Sequence, residues 1–141
     1  FIVMDFEIHT TDYIMNEYYR GAKKETNLKN LDKYVRSGRL TIHEYGYEEI
    51  FTIFEQKSSL SLPDCSVYKL SMDLNAILLT GDKQLKAFSE NSKVEVHGII
   101  WLVDEMCKNG IIDQVEYREK LIDLKGLSQR LPADEIDRRL K

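Results

Sequence analysis

The sequence predicts an α/β fold in three layers, with a parallel sheet of about five strands and a helical C-terminal extension. Short apolar runs alternate with longer stretches of helical period, which is the pattern of βα units. No internal repeat, low-complexity tract or Pro/Gly linker interrupts the alternation, and the only prolines are Pro63 and Pro132. At 141 residues, 43% of them hydrophobic and 31% charged, the chain fits one domain with its own core.

Residues 1–4 read as a buried strand ending at Asp5, and residues 6–10 as a second strand. A helix is expected over about 12–19. Helical period resumes near Leu28 and stops at Gly38, a natural C-cap. Residues 40–45 alternate as a third strand, and 48–57 are helical. Ser61-Leu62-Pro63-Asp64 then looks like a helix start, with Ser as N-cap, Pro in the first turn and a carboxylate at N3. Val67, Leu70 and Leu74 supply the apolar stripe of that helix. Residues 76–79 form a fourth, buried strand, and Thr80-Gly81-Asp82 turns the chain into a helix over 83–90. Residues 94–96 are a short fifth strand, followed by a helix over 99–108 that ends at Asn109-Gly110. Two more helical patterns, about 113–127 and 132–140, close the chain. Residues 1–108 are thus expected to form the main domain, and 109–141 a helical extension packed on it.

The bulk numbers exclude some classes. No apolar run approaches the roughly 20 residues that span a bilayer. The start at Phe1 shows no basic-then-apolar signal pattern, so a cytoplasmic protein is expected. Cys65 and Cys107 lack metal-site spacing and read as free thiols. His9, His43 and His97 lie in or beside strands with no helical pair spaced for zinc, so they read as core or edge residues. The net charge of −4 is unpromising for a protein that grips nucleic acid by charge alone. From Arg20 to Arg39, however, seven basic residues face only Glu25 and Asp32, a local excess of +5. This stretch, which includes Lys23 and Lys24, reads either as a solvated helical face or as a phosphate-contacting arm.

Ligands of open parallel sheets bind beyond the carboxyl ends of the strands. Asp5 ends the first strand and Asp82 follows the fourth, while Asp64 opens the helix that feeds it. Glu17 lies on the helix after the second strand. Four carboxylates from separate segments are therefore candidates to meet at one edge, and such clusters are rarely kept without a cation. Oxygen ligands favour Mg2+ or Mn2+ over zinc. Plainer readings stand beside this one. Asp82 serves as an N-cap, Asp64 favours a helix dipole, Asp5 is a turn residue and Glu17 a surface acid.

Resemblance adds a specific expectation. The run from Leu62-Pro63-Asp64 through the apolar strand to Thr80-Gly81-Asp82-Lys83 resembles the core of PIN-domain nucleases, where an Asp opens a helix and a Thr-x-Asp turn supplies the next acid. Residues 94–104 resemble the family's next strand and helix. Tyr13-Ile14-Met15-Asn16-Glu17 resembles its "Val-x-x-Glu" helix, and Ile2-Val3-Met4-Asp5 the strand ending in the first acid. The likeness covers about residues 1–108; the tail is similar to extensions of uncharacterised bacterial PIN proteins. It implies hydrolysis of single-stranded RNA, with Mg2+ or Mn2+ held by Asp5, Asp64 and Asp82 and by Glu17 directly or through water. Thr80 would position a water or an acid. Many relatives are toxins of toxin–antitoxin pairs, which implies an antitoxin partner and a homodimer.

In the family a helix separates the first Asp from the second strand, yet Phe6 follows Asp5 at once. Parallel neighbours need a crossover of a dozen or more residues. Either the first strand is lost into a longer one or a segment is missing between Asp5 and Phe6; the second is the expectation, with their Cα atoms much farther apart than the roughly 3.8 Å of a trans peptide. Two other functions remain open on sequence. One is a PIN fold that binds RNA or protein without cutting; the other is a phosphotransfer enzyme with Asp5 as nucleophile and Glu7 on the same strand face.

Overall fold

Alternating strands and helices build the chain, whose computed structural model describes residues 6–21, 25–57, 59–127 and 131–141, with backbone alone for 25–30. The elements are β1 (Ile8–Thr11), α1 (Asp12–Gly21), α2 (Glu25–Arg36), β2 (Leu40–His43), α3 (Tyr47–Gln56) and α4 (Leu62–Leu74). They continue as β3 (Leu78–Leu79), α5 (Lys83–Asn91), β4 (Val96–His97), α6 (Ile99–Lys108), α7 (Gln114–Leu127) and α8 (Ala133–Leu140). The strand expected at residues 1–4, its terminal Asp5 and the Asp5–Phe6 junction lie outside the described residues.

Parallel pairing is observed, and a single five-stranded sheet is not seen among the described residues. Among the described residues four strands form two separate pairs, β1 with β2 and β3 with β4. The register runs from Ile8 opposite Leu40 to Thr11 opposite His43 in the first pair, and sets Leu78 and Leu79 opposite Val96 and His97 in the second. The second pair is short for local reasons. Ala76 and Ile77 are exposed after the left-handed cap at Asn75, so they add no buried ladder positions. Val94 is buried, yet it follows Lys93 at φ 64°, a turn conformation that delays the strand to Val96.

The helix ends follow their sequence signals. The Ser61 hydroxyl accepts the Asp64 N–H at 3.2 Å, and the Asp64 carboxylate accepts the Ser61 N–H at 3.3 Å, closing a capping box. Asp82 Oδ1 accepts the Leu85 N–H at 2.8 Å and so caps α5. Gly38, past the end of α2, takes φ 77°, which only glycine adopts without strain.

Two apolar clusters hold the elements. Ile50, Leu60, Cys65, Leu78, Leu85, Val94 and Val96 join α3, α4 and α5 to the β3–β4 pair. Ile100, Val103, Ile112, Leu121 and Ile136 bind α7 and α8 to α6. Leu121 and Ile136 are fully buried, and such side chains contribute about 1.5–3 kcal/mol each. Polar contacts reinforce the second cluster. Arg139 forks onto the Asp104 carboxylate at 2.9 and 2.8 Å, and the Tyr117 hydroxyl donates to Asp104 Oδ1 at 2.6 Å. Among the described residues no helix is long and apolar enough to cross a membrane.

Candidate functional site

Parallel strands send their carboxyl ends, and the turns that follow them, to one edge. Beyond the carboxyl ends of β3 and β4 lies a cleft of about 590 Å³. Thr80 and Asp82 enter it from the β3–α5 turn, His97 and Trp101 from the β4–α6 turn, and Glu135 and Arg139 from α8. The turn is tightly made: Thr80 donates its N–H to the His97 carbonyl at 3.0 Å, and its hydroxyl accepts the Asp82 N–H at 3.1 Å. Asp82 is exposed at the mouth of this cleft. Its Oδ1 belongs to the helix cap, and Oδ2 has no hydrogen-bond partner among the described residues.

The carboxyl end of β1 is built around a buried hydroxyl pair. Thr11 Oγ1 accepts the Ile14 N–H at 3.2 Å and lies 2.7 Å from Ser66 Oγ. Ser66 already donates to the Pro63 carbonyl at 2.6 Å, so Thr11 is the donor of the hydroxyl–hydroxyl bond. The bond ties the start of α1 to the first turn of α4, which places half-buried Asp64 close to the end of β1. Glu17 is exposed on α1, which packs against α4.

Of the acids expected at one edge, the cleft at the ends of β3 and β4 takes one. Asp82 and Thr80 line the cleft; Asp64 and Glu17 are not among its described lining residues. Asp5, Lys23 and Lys24 lie outside the described residues. Among the described residues no three His, Cys, Asp or Glu side chains stand close enough to share a cation. The capping bonds hold Asp64 and Asp82 at the starts of their own helices, and Glu17 is exposed.

Several cleft residues escaped the sequence pattern. His97 and Trp101 stack with ring centroids 4.2 Å apart and planes at 10°. Lys83 and Lys86, on the first turns of α5, line the same cleft. The rule that singled out Asp82, a position just past a strand, applies equally to His97 at the end of β4. His9 and His43 are partners rather than separate edge residues: His9 Nδ1 lies 2.9 Å from His43 Nε2, so one ring donates and the other accepts.

A family model described as a PIN domain matches residues 3–141, so the match includes the tail as well as the region that carries the resemblance. No curated protein and no solved structure matches the chain.

Proposed function

The chain belongs to the PIN-domain family, typically nucleases, and from this premise we propose that it is a metal-dependent ribonuclease acting on single-stranded RNA. One observation carries the reading: Asp82 presents a carboxylate oxygen unused by its helix cap beside a cleft at the carboxyl ends of β3 and β4. The donor chemistry fits Mg2+ or Mn2+. Asp64, like Asp82, gives one oxygen to a backbone N–H and keeps the other without a hydrogen-bond partner among the described residues. Asp64 and Asp82 would hold the cation with Asp5, and Glu17 would act directly or through water. When bound, the cation supplies a Lewis acid at the phosphoryl oxygen and lowers the pKa of water.

The chain's own groups do the rest. Thr80 fixes the turn that aims Asp82. Lys83 and Lys86 border the cleft and offset phosphate charge. Lys23 and Lys24, which lie outside the described residues, would add further phosphate contacts. In the finer form of this proposal the protein is a toxin, working as a homodimer and restrained by an antitoxin.

The test is cleavage of end-labelled single-stranded RNA. Cleavage is expected with Mn2+, to stop with a chelator, and to vanish in Asp64→Asn and in Asp82→Asn. Full activity in either variant sinks the proposed mechanism. In the same preparation, the Lys23→Glu, Lys24→Glu double variant should bind RNA more weakly, its salt slope falling by about 0.7 for each phosphate left without a cationic partner. A second reading, a non-cutting RNA-binding module, is favoured by the capping roles of Asp64 and Asp82. It predicts RNA binding with no metal-dependent product.

A further inference from the structure

Trp101 is the only tryptophan of the chain, and it packs in neither apolar cluster. A side chain of that size outside the core, half-buried and facing a cleft, calls for another partner. One partner is already present. The His97 ring lies almost parallel to the indole at 4.2 Å, and its Nε2 is held by Glu95 Oε1 at 2.7 Å. The His97 carbonyl is held in turn by the Thr80 N–H. The two rings are therefore fixed before any ligand arrives, which lowers the ordering cost of binding.

We propose that the His97–Trp101 stack is a base-binding platform, on which a nucleobase of single-stranded RNA extends the pile of rings while Lys83 and Lys86 meet an adjoining phosphate. The proposal rests on the ribonuclease reading and adds to it the residues that seat the strand. Every base has a π-face, so an aromatic platform holds RNA with little sequence preference. The charges around it are divided: Lys83 and Lys86 line the cleft from α5 and suit a phosphate, while Asp82 and Glu135 line it as acids. Gly98, which starts α6 there, has no side chain to cap the first backbone N–H groups of that helix, so a phosphate as well as water can reach them. The cleft volume, about 590 Å³, also lies within the roughly 300–1,000 Å³ range of small-ligand sites. Asp82 and Thr80 share the cleft, so a base seated on the stack brings its own backbone toward the proposed catalytic carboxylate.

Emission from the sole tryptophan reads this stacking directly, in the presence of a chelator so that nothing is cut. A short oligoadenylate should quench Trp101, and an abasic strand of equal length and charge should bind without quenching it. Binding of labelled oligoadenylate, followed by anisotropy, should weaken about ten-fold in His97→Ala and recover in His97→Phe, which keeps a flat ring. Oligoadenylate that binds without changing the emission overturns the platform, as does a His97→Ala protein that binds like the wild type. Metal-dependent cleavage alongside an unchanged emission overturns the platform alone, whereas absence of any RNA binding overturns the ribonuclease reading with it. Should His97→Ala fail to fold, the wild-type quenching and the His97→Phe affinity still decide.

Discussion

Asp82 holds two roles in one side chain, and the two separate by substitution. As an N-cap its Oδ1 accepts the Leu85 N–H; as a proposed metal ligand it supplies charge. Asn caps a helix about as well as Asp, whereas Ala does not. Asp82→Asn is therefore expected to leave thermal stability within about 0.5 kcal/mol of wild type, and Asp82→Ala to cost about 1 kcal/mol. Thermal or urea unfolding of the pair checks this, and an Asp82→Ala protein as stable as wild type would show that the cap contributes nothing. The residue scale is also where the sequence was most legible, because capping chemistry is local. Ser61, Pro63, Asp64 and Asp82 could be placed from their neighbours alone. The His97–Trp101 stack and the Thr11–Ser66 bond could not, since each depends on how separate elements or successive turns come to rest.

At the level of elements, the helices were legible and the strands only in outline. Helix periods and caps placed α4, α5 and α6 within a residue or two, while β3 and β4 shrank to two residues each. Strand length depends on neighbours that a linear pattern does not name, such as the exposed Ile77 and the turn at Lys93. The junction of α6, α7 and α8 was expected only as packing, yet it carries a titratable network. Burial, then the hydrogen bond to Asp104 and that carboxylate's charge, push the Tyr117 hydroxyl up to about 12, with Arg139 opposing. The folded protein thus keeps this proton where the unfolded chain, near 10, has lost it. The stability contributed is complete below pH 10 and drains away as pH rises toward about 12. Tyr117→Phe should therefore lose less melting temperature than wild type between about pH 9 and about pH 11.5, a range that brackets the ordinary tyrosine value. Parallel losses in the two proteins would detach Tyr117 from the alkaline transition.

Across the whole molecule, two apolar clusters meet at α6: β4 feeds it from the first, and its own Ile100 and Val103 belong to the second. The tail is thus anchored on the helix that also supplies Trp101 to the cleft, so the site and the C-terminal helices share one support. The sheet pairs carry a further consequence. Both are parallel, so neither closes through a hairpin. Leu78 reaches Val96 across α5 alone, whereas Ile8 reaches Leu40 only after α1 and α2 have been passed. Loop-closure entropy grows with the length enclosed, so the shorter circuit is the cheaper nucleus. The β3–α5–β4 segment should accordingly be structured at the folding barrier, and β1 should register on β2 late. In refolding kinetics, Leu85→Ala would slow folding, while Leu40→Ala would mainly hasten unfolding. The reverse pattern would place the nucleus at the amino-terminal ladder.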